Sequence, residues 1–384
     1  MFFDPIPKAL YIHIPFCKKK CSYCDFYSLT NLEDTLIDSL LQETVGQINY
    51  FNRVLNIRDL KTIYIGGGTP SVIGWKKLEE FIKTVVSMYG ASLEEFSIEI
   101  NPETVNPDLL KMLNDLPVTR ISLGVQSFNK KLIGILGRNA SLEAVYNALE
   151  LLNALKEHSD KKISIDLISS IPGQTIDEAL SDVTTALSFK PDHLSLYSLT
   201  LEEGTSLYQK FTEKDQDDAC WIESCELLEA SGYDHYEVSN FCIPGNECLH
   251  NLGYWKMEPY IGCGLSAVST YYRDGRFYRT SVKEDSDVFL QGESSLWGME
   301  KEIISRHDFL IELLMMGFRT SIGVNLQEPG NFFDIDLKKV LEPVFFKWEG
   351  FILVDGNRVA LNKKGRYFHT SFMIDVMECI EQSK

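Results

Sequence analysis

ALYIHIPFCKKKCSYCDF, residues 9–26, runs from an alternating strand pattern straight into three cysteines, Cys17, Cys21 and Cys24. In the strand, Ile12 and Ile14 share one face while Tyr11 and His13 share the other, because successive strand residues point to opposite sides. The C-x3-C-x2-C spacing sets three thiolates on one short loop, and no fourth ligand follows nearby. Structural zinc takes four ligands, and ordinary electron-transfer iron–sulfur clusters take four cysteines. Three thiolates suit a four-iron cluster with one iron left open, a place to bind and activate something. A zinc site completed by His13 or by a distant residue, and three unliganded thiols, are the alternatives that spacing leaves open. Lys18, Lys19 and Lys20 between the cysteines read as solvated.

The same alternation recurs downstream. Strand patterns fall at Leu10–Ile14, Thr62–Ile65, Phe96–Ile100, Arg120–Val125, Ile163–Ile168 and His193–Ser198. Between them apolar residues recur every three or four positions, as in Leu36, Ile37, Leu40, Leu41, Val45 and Ile48, the spacing of an amphipathic helix. Strand–helix alternation predicts a parallel sheet of βαβ units. One face of the strands is apolar throughout. The other carries Tyr64, Ser97, Glu99, Asn101, Ser122, Gln126, Ser164 and Asp166. A sheet covered by helices on both sides would be apolar on both. The expectation is an α/β fold, an incomplete (β/α)6 barrel, with the polar face lining a cavity and the cysteine loop at the C-terminal rim of the strands.

Three regions are expected: the partial barrel over residues 1–200, a linking region over 201–300 that mixes one helix with loops, and a small winged-helix-like domain over 301–384. The last reads as helix, helix, hairpin, helix, with the hairpin turning at Asp355-Gly356-Asn357. A packing or partner-binding role suits it better than DNA binding. The whole chain of 384 residues has a formal net charge of -18, which argues against non-specific nucleic-acid binding. No apolar stretch is long enough for a transmembrane segment, and the N-terminus MFFDPIPKALYIHIPF lacks a charged n-region and a cleavage site. A cytoplasmic location follows as an expectation, with the nine cysteines reduced or metal-bound.

Other motifs carry chemistry. Gly66-Gly67-Gly68-Thr69-Pro70 follows the second strand, and glycines there let backbone groups approach a ligand closely. It has neither the lysine of a phosphate-binding loop nor a dinucleotide fingerprint, and an ordinary tight turn is the plain alternative. Glu99, Gln126, Arg138 and Asp166 sit at strand ends or just beyond. Singly each suits a hydrogen-bonded structural role; together they could hold a zwitterionic, ribose-bearing ligand, with Arg138 pairing a carboxylate.

Tyr11 through Phe26, the Gly-Gly-Gly-Thr-Pro turn and IDLISSIPGQT (Ile165–Thr175) resemble the radical S-adenosylmethionine superfamily, and most closely proteins related to oxygen-independent coproporphyrinogen III oxidase. The resemblance implies a 4Fe-4S cluster on Cys17, Cys21 and Cys24, with its open iron chelated by S-adenosylmethionine. It also implies cofactor contacts from Tyr11, Tyr23, Gly67, Gly68, Thr69, Glu99, Gln126, Arg138 and Asp166, and an electron donor. The oxidases resemble C-x3-C-x2-C-x-C with an N-terminal extension, whereas here Phe26 holds the last position and ten residues precede Tyr11. His250-Asn251-Leu252-Gly253-Tyr254-Trp255 matches instead the H-N-x-x-Y-W motif of the family's heme chaperone branch. That implies heme binding with His250 as axial ligand and delivery to a heme-accepting protein; an enzyme acting on coproporphyrinogen III is the rival. Without the resemblance, a loop histidine satisfied by hydrogen bonds is the commoner case. The family has Gly where Ser170 sits and His where Ala140 sits. Cys220, Cys225, Cys242, Cys248, Cys263 and Cys379 read as structural thiols, and a homodimer is left open.

Overall fold

A computed structural model describes residues 6–89 and 93–382, so the first five residues of the N-terminal segment read above lie outside it. All six strands form, as β1 (Ala9–Ile14), β2 (Thr62–Gly67), β3 (Glu95–Ile100), β4 (Arg120–Gln126), β5 (Lys162–Ser169) and β6 (His193–Ser198). They pair in sequence order and in parallel. The helices are α1 (Asp34–Val54), α2 (Trp75–Val86), α3 (Pro107–Asp115), α4 (Lys130–Leu136), α5 (Leu142–Glu157) and α6 (Ile176–Ser188).

Local chemistry fixes where these helices start. Asn106 caps α3 by accepting from the Leu109 N–H at 3.0 Å, just before Pro107 at the first turn. Thr175 and Glu178 form a reciprocal capping box on α6. The apolar strand face, including Ile12, Ile65, Ile98, Leu123 and Ile165, packs against Ile48 of α1, Leu78 and Ile82 of α2, Leu152 of α5 and Val183 of α6. Full burial of such a side chain is worth roughly 1.5–3 kcal/mol, so this layer carries the stability.

Residues after 200 correct one expectation. They extend the sheet instead of forming only loops around a helix. After α7 (Asp218–Ala230), β7 (Asp234–Glu237) and β8 (Asn240–Cys242) extend this edge, β8 pairing antiparallel with β6 and β7 antiparallel with β8. Helix α8 (Leu249–Trp255) follows, and β9 (Tyr260–Cys263) then joins β1 in parallel at the opposite edge. β10 (Val268–Arg273), β11 (Arg276–Val282) and β12 (Met299–Ile304) continue antiparallel, with a short helix α9 (Ser286–Phe289) before β12. The result is a twelve-stranded mixed sheet in the order β12-β11-β10-β9-β1-β2-β3-β4-β5-β6-β8-β7. Its end strands do not pair with each other among the described residues, so the barrel is incomplete.

The C-terminal part has its own core around Phe309, Leu314, Phe318, Val344, Leu361 and Phe372. It comprises α10 (Arg306–Phe318), β13 (Val324–Asn325), α11 (Gln327–Phe333), α12 (Leu337–Val340) and α13 (Glu342–Lys347). The hairpin β14 (Ile352–Asp355) and β15 (Arg358–Leu361) follows, then α14 (Lys363–Arg366) and α15 (His369–Gln382). The hairpin turns where read, with Gly356 at φ 61°, and β13 adds a third strand that the sequence did not announce.

Candidate functional site

The polar strand face divides into two tiers. Toward the C-terminal ends, Tyr11, Tyr64, Glu99, Asn101, Gln126, Arg138 and Asp166 stay partly exposed. Toward the N-terminal ends, Thr62, Glu95, Ser97, Arg120, Ser164 and His193 are buried.

The cysteine loop stands at the upper end, where β1 delivers it. The Cys17 N–H donates to Leu29 O at 3.0 Å, and Ser22 bonds through its N–H to Leu136 O at 2.9 Å. Gly137 ends α4 in the left-handed conformation at φ 68°, and a Cβ there would lie 2.2 Å from Ser22 Oγ, so only glycine lets α4 press on the loop. The three thiols are free and half-buried. Burial pushes Cys17 and Cys24 upward, and their mutual proximity and that of Cys21 add to the rise. Lys18, Lys19 and Lys20 are exposed, as read.

The glycine turn is required by its surroundings. A Cβ on Gly66 would sit 2.8 Å from a Glu99 oxygen, one on Gly67 (φ 105°) 2.7 Å from the His13 ring, and one on Gly68 2.5 Å from Phe16 O. The turn is thereby locked to the exit of β1, with the Gly68 N–H donating to Ile14 O and the Thr69 N–H to Phe16 O. Thr69 Oγ1 lies 3.9 Å from Cys17 Sγ and accepts from Asn101 Nδ2 at 2.8 Å. Arg138 Nη2 donates to Asn101 Oδ1 at 3.2 Å and to the Gly124 carbonyl. Asn101 thus links the cysteine side to Arg138. A bulge at Gly124/Gln126, with Gln126 at φ 71°, folds the Gln126 amide over Gly124 beside both. Burial raises the Tyr23 phenol, opposed by Arg138, to which it is hydrogen-bonded.

Glu99 accepts from Tyr64 OH at 2.8 Å and from the Gly67 N–H at 3.2 Å. Burial, then the charge of Asp166, pushes its carboxyl up to about 7. Asp166 accepts from Ser122 Oγ at 2.9 and 3.0 Å on its two oxygens, and burial raises it to about 6. His13 bonds Tyr11 OH at 3.1 Å and Tyr27 O at 3.3 Å, and burial lowers it to about 4. Both its nitrogens are taken, so it is not poised as a fourth ligand for the cysteines.

The lower tier is not a cavity lining, which corrects the expectation for that half of the face. Helix α8 closes it. Glu95 caps the helix, accepting from the Leu249 N–H at 3.0 Å, the His250 N–H at 3.1 Å and Cys248 Sγ at 3.3 Å. Arg120 pairs Glu95 at 3.4 Å and donates to the Asn246 and Glu247 carbonyls at 2.9 Å. Burial alone would raise Glu95, but Arg120 and the helix N–H groups hold it below the usual carboxylate range. His250 is 1% exposed, with Nδ1 on Thr62 Oγ1 at 2.8 Å and Nε2 on Tyr254 OH at 2.8 Å. Burial lowers it to about 4, so the imidazole is neutral. The structure therefore places His250 with the plug of the barrel, one layer below the upper tier: its ring centroid is 5.2 Å from that of Tyr64, which donates to Glu99.

A radical SAM superfamily model matches residues 11–186, and a HemN C-terminal domain model matches residues 304–368. A protein named heme chaperone HemW from Lactococcus lactis is 34% identical over 87% of this chain and 87% of its own length. Another of that name, from Buchnera aphidicola, is 32% identical over 96% and 97%. The chain belongs to the HemW family of radical SAM proteins. The fold agrees: coproporphyrinogen III oxidase (HemN) from Escherichia coli superposes with a TM-score of 0.81 at 20% identity, covering 100% of this chain and 92% of that one.

Within this HemW-family chain, Ser170 shows why glycine suits its position. Its φ is 57°, the left-handed region, and its hydroxyl compensates by donating to Asp217 O at 3.0 Å. Sequence reading did not single out Asn101, Tyr64, Ser122 or Glu95 as site residues. The strand parity placed the first three inward, but their partners come from other strands.

Proposed function

We propose that this chain binds a 4Fe-4S cluster through Cys17, Cys21 and Cys24, binds S-adenosylmethionine beside it, and binds heme for transfer to an acceptor protein. One coincidence carries the reading. Relatives named heme chaperone HemW match nearly the whole chain, and its three half-buried thiols stand at the mouth of a partly exposed polar tier. The donor set suits a cluster. The thiols share one neighbourhood, yet among the described residues no three His, Cys, Asp or Glu converge as for a single metal ion. Thiolates on separate irons need no such convergence.

When bound, the cluster supplies an open iron and an electron for the sulfonium. The chain's residues then bind and orient. Arg138 faces the carboxylate of S-adenosylmethionine, and Glu99 and Asp166 take its ammonium group and ribose hydroxyls. Tyr11, Tyr23 and Gln126 pack around it, while Gly67, Gly68 and Thr69 bring backbone close. The buried lower tier keeps water from reaching this site from below.

Heme coordination by His250 belongs to the same reading, and it requires the imidazole to exchange its bond to Thr62 or Tyr254 for the iron. The reading also needs an electron donor, a heme acceptor and a reducing compartment such as the cytoplasm, where nine free cysteines persist. Among the described residues no helix is long and apolar enough to cross a membrane.

The test begins with anaerobic reconstitution, expected to load about four irons per chain by the cluster logic. Heme is then titrated into the wild type and His250→Ala, and the spectrum of the variant is expected to be altered. Stoichiometric zinc without iron would overturn the cluster. Conversion of coproporphyrinogen III with release of 5′-deoxyadenosine would replace the chaperone reading with the oxidase one.

A further inference from the structure

Cys17 differs from the other two thiols in what surrounds it. Two segments from different parts of the chain clasp its backbone. On one, the Thr69 N–H donates to Phe16 O at 2.7 Å, next to the thiol. On the other, the Leu29 N–H donates to Pro15 O at 2.6 Å, and Leu29 O accepts from the Cys17 N–H at 3.0 Å. Main-chain bonds alone therefore hold Thr69 and Ser28 beside Cys17.

Each segment brings a hydroxyl. Thr69 is buried, and its Oγ1 lies 3.9 Å from Cys17 Sγ. The same oxygen accepts from Asn101 Nδ2 at 2.8 Å, and Asn101 Oδ1 in turn accepts from Arg138 at 3.2 Å. A hydroxyl has one proton to give. With Asn101 donating into its lone pair, Thr69 keeps that proton for the sulfur. Donation thus runs one way, from guanidinium to thiol. Ser28 Oγ is buried and makes no hydrogen bond of ordinary geometry among the described residues, an uncommon state for a hydroxyl. Burial pushes the Cys17 thiol up, and the hydroxyls of Thr69 and Ser28 pull against it by favouring the charged sulfur. The other two thiols have different donors, Arg138 for Cys21 and the Phe26 N–H for Cys24.

We propose that Thr69 and Ser28 are positioning residues that both donate to the Cys17 thiolate and so raise the reduction potential of the cluster. This rests on the cluster reading and adds the residues that set its redox poise. Reduction adds negative charge to a cluster, and its sulfurs carry part of it. Donors aimed at a sulfur stabilise the reduced form more than the oxidised one. Ser28 gains in the thiolate the acceptor that it lacks beside a neutral thiol, which accounts for its buried hydroxyl.

The test is a potentiometric titration of the reconstituted full chain, read by the electron paramagnetic resonance signal of the reduced cluster. It is run without S-adenosylmethionine, so that contacts of Thr69 with that cofactor do not enter. Wild type is compared with Ser28→Ala, Thr69→Val, the double variant and the hydroxyl-keeping Ser28→Thr and Thr69→Ser. Thr30→Ala, which removes an exposed hydroxyl from the same loop, is the control. Iron content and circular dichroism melts check loading and folding. At a fixed poise the ratio of reduced to oxidised cluster is expected to fall at least twofold in each single variant and at least fivefold in the double. Tenfold corresponds to 59 mV for one electron. The control and the hydroxyl-keeping variants are expected within twofold of wild type. A smaller fall in the double variant overturns the inference and leaves the cluster standing. So does an equal fall in the hydroxyl-keeping variants, which would trace the effect to packing. If the double variant does not load, the single variants decide. Loss of the cluster from both of them overturns the inference too, since the hydroxyls would then hold the cluster and not tune it. A wild-type chain that loads no four-iron cluster overturns the cluster reading itself.

Discussion

Glu99 and Asp166 hold their protons more tightly than free carboxylic acids do, about 7 and about 6, because burial disfavours their charged forms. Unfolded, both release their protons near pH 4. Between those limits the folded chain binds more protons than the unfolded one, so stability falls as pH rises through roughly 4 to 7. A cationic ligand has the opposite preference and binds the ionised carboxylates. Affinity of the reconstituted protein for S-adenosylmethionine is therefore expected to rise severalfold from pH 6 to pH 8 in equilibrium dialysis. Glu99→Gln keeps an acceptor for Tyr64 and Gly67 without the charge. It should weaken binding at pH 8 about tenfold, flatten the pH dependence and raise the Tm at that pH; an unchanged pH profile would remove Glu99 from the site. Strand parity made these carboxylates legible in the sequence. The same parity turned Asn101 inward, but its place beside Arg138 was not legible, since that depends on the bulge that swings Gln126 over Gly124, and a mid-strand glycine is the bulge's one local sign.

Among the elements, α8 depends on a residue far from it in sequence. Glu95 caps its N-terminus and neutralises Arg120, both nearly fully buried. Glu95→Gln leaves Arg120 buried against a neutral amide, which costs about 3–5 kcal/mol. Urea unfolding should show that loss, and hydrogen exchange at the Leu249 and His250 amides should quicken. A cost below about 1 kcal/mol would mean the pair does not hold the helix. Because the Glu95 carboxyl sits below its ordinary range, its stabilisation is present above the unfolded pKa and fades as pH falls through the folded one. The first six strands were readable because apolar and polar residues alternate in a repeating strand–helix pattern. The later ones are short and mixed, and their partners are distant. One signal was there to find: Asp274-Gly275 between VSTYYR and RFYRTSV, which turns with φ 50° and 78° and joins β10 to β11.

At the scale of the molecule, the C-terminal domain is tied to the sheet through a buried carboxylate. Glu237 is fully buried and pairs with Arg319, which also donates to Ser239 Oγ at 3.0 Å. Arg366 adds a bond to His235 O at 3.0 Å. Arg319→Ala strands the Glu237 charge and removes the cover from Trp255. We expect a loss of ~3 kcal/mol, the low end for a buried pair because Arg319 is partly exposed. Limited proteolysis near residues 299–305 should accelerate, and the thermal melt should broaden or split. A single sharp melt at the wild-type Tm would show that other contacts hold the domain. None of these links was visible in the sequence, because each joins residues about eighty or more positions apart.

The buried lower tier has a consequence for traffic. With Glu95, Arg120, His193 and α8 filling the strands' N-terminal end, the site has a floor: a ligand does not rise into it past α8 but comes from the cysteine rim or from the side where, among the described residues, the end strands stay unpaired.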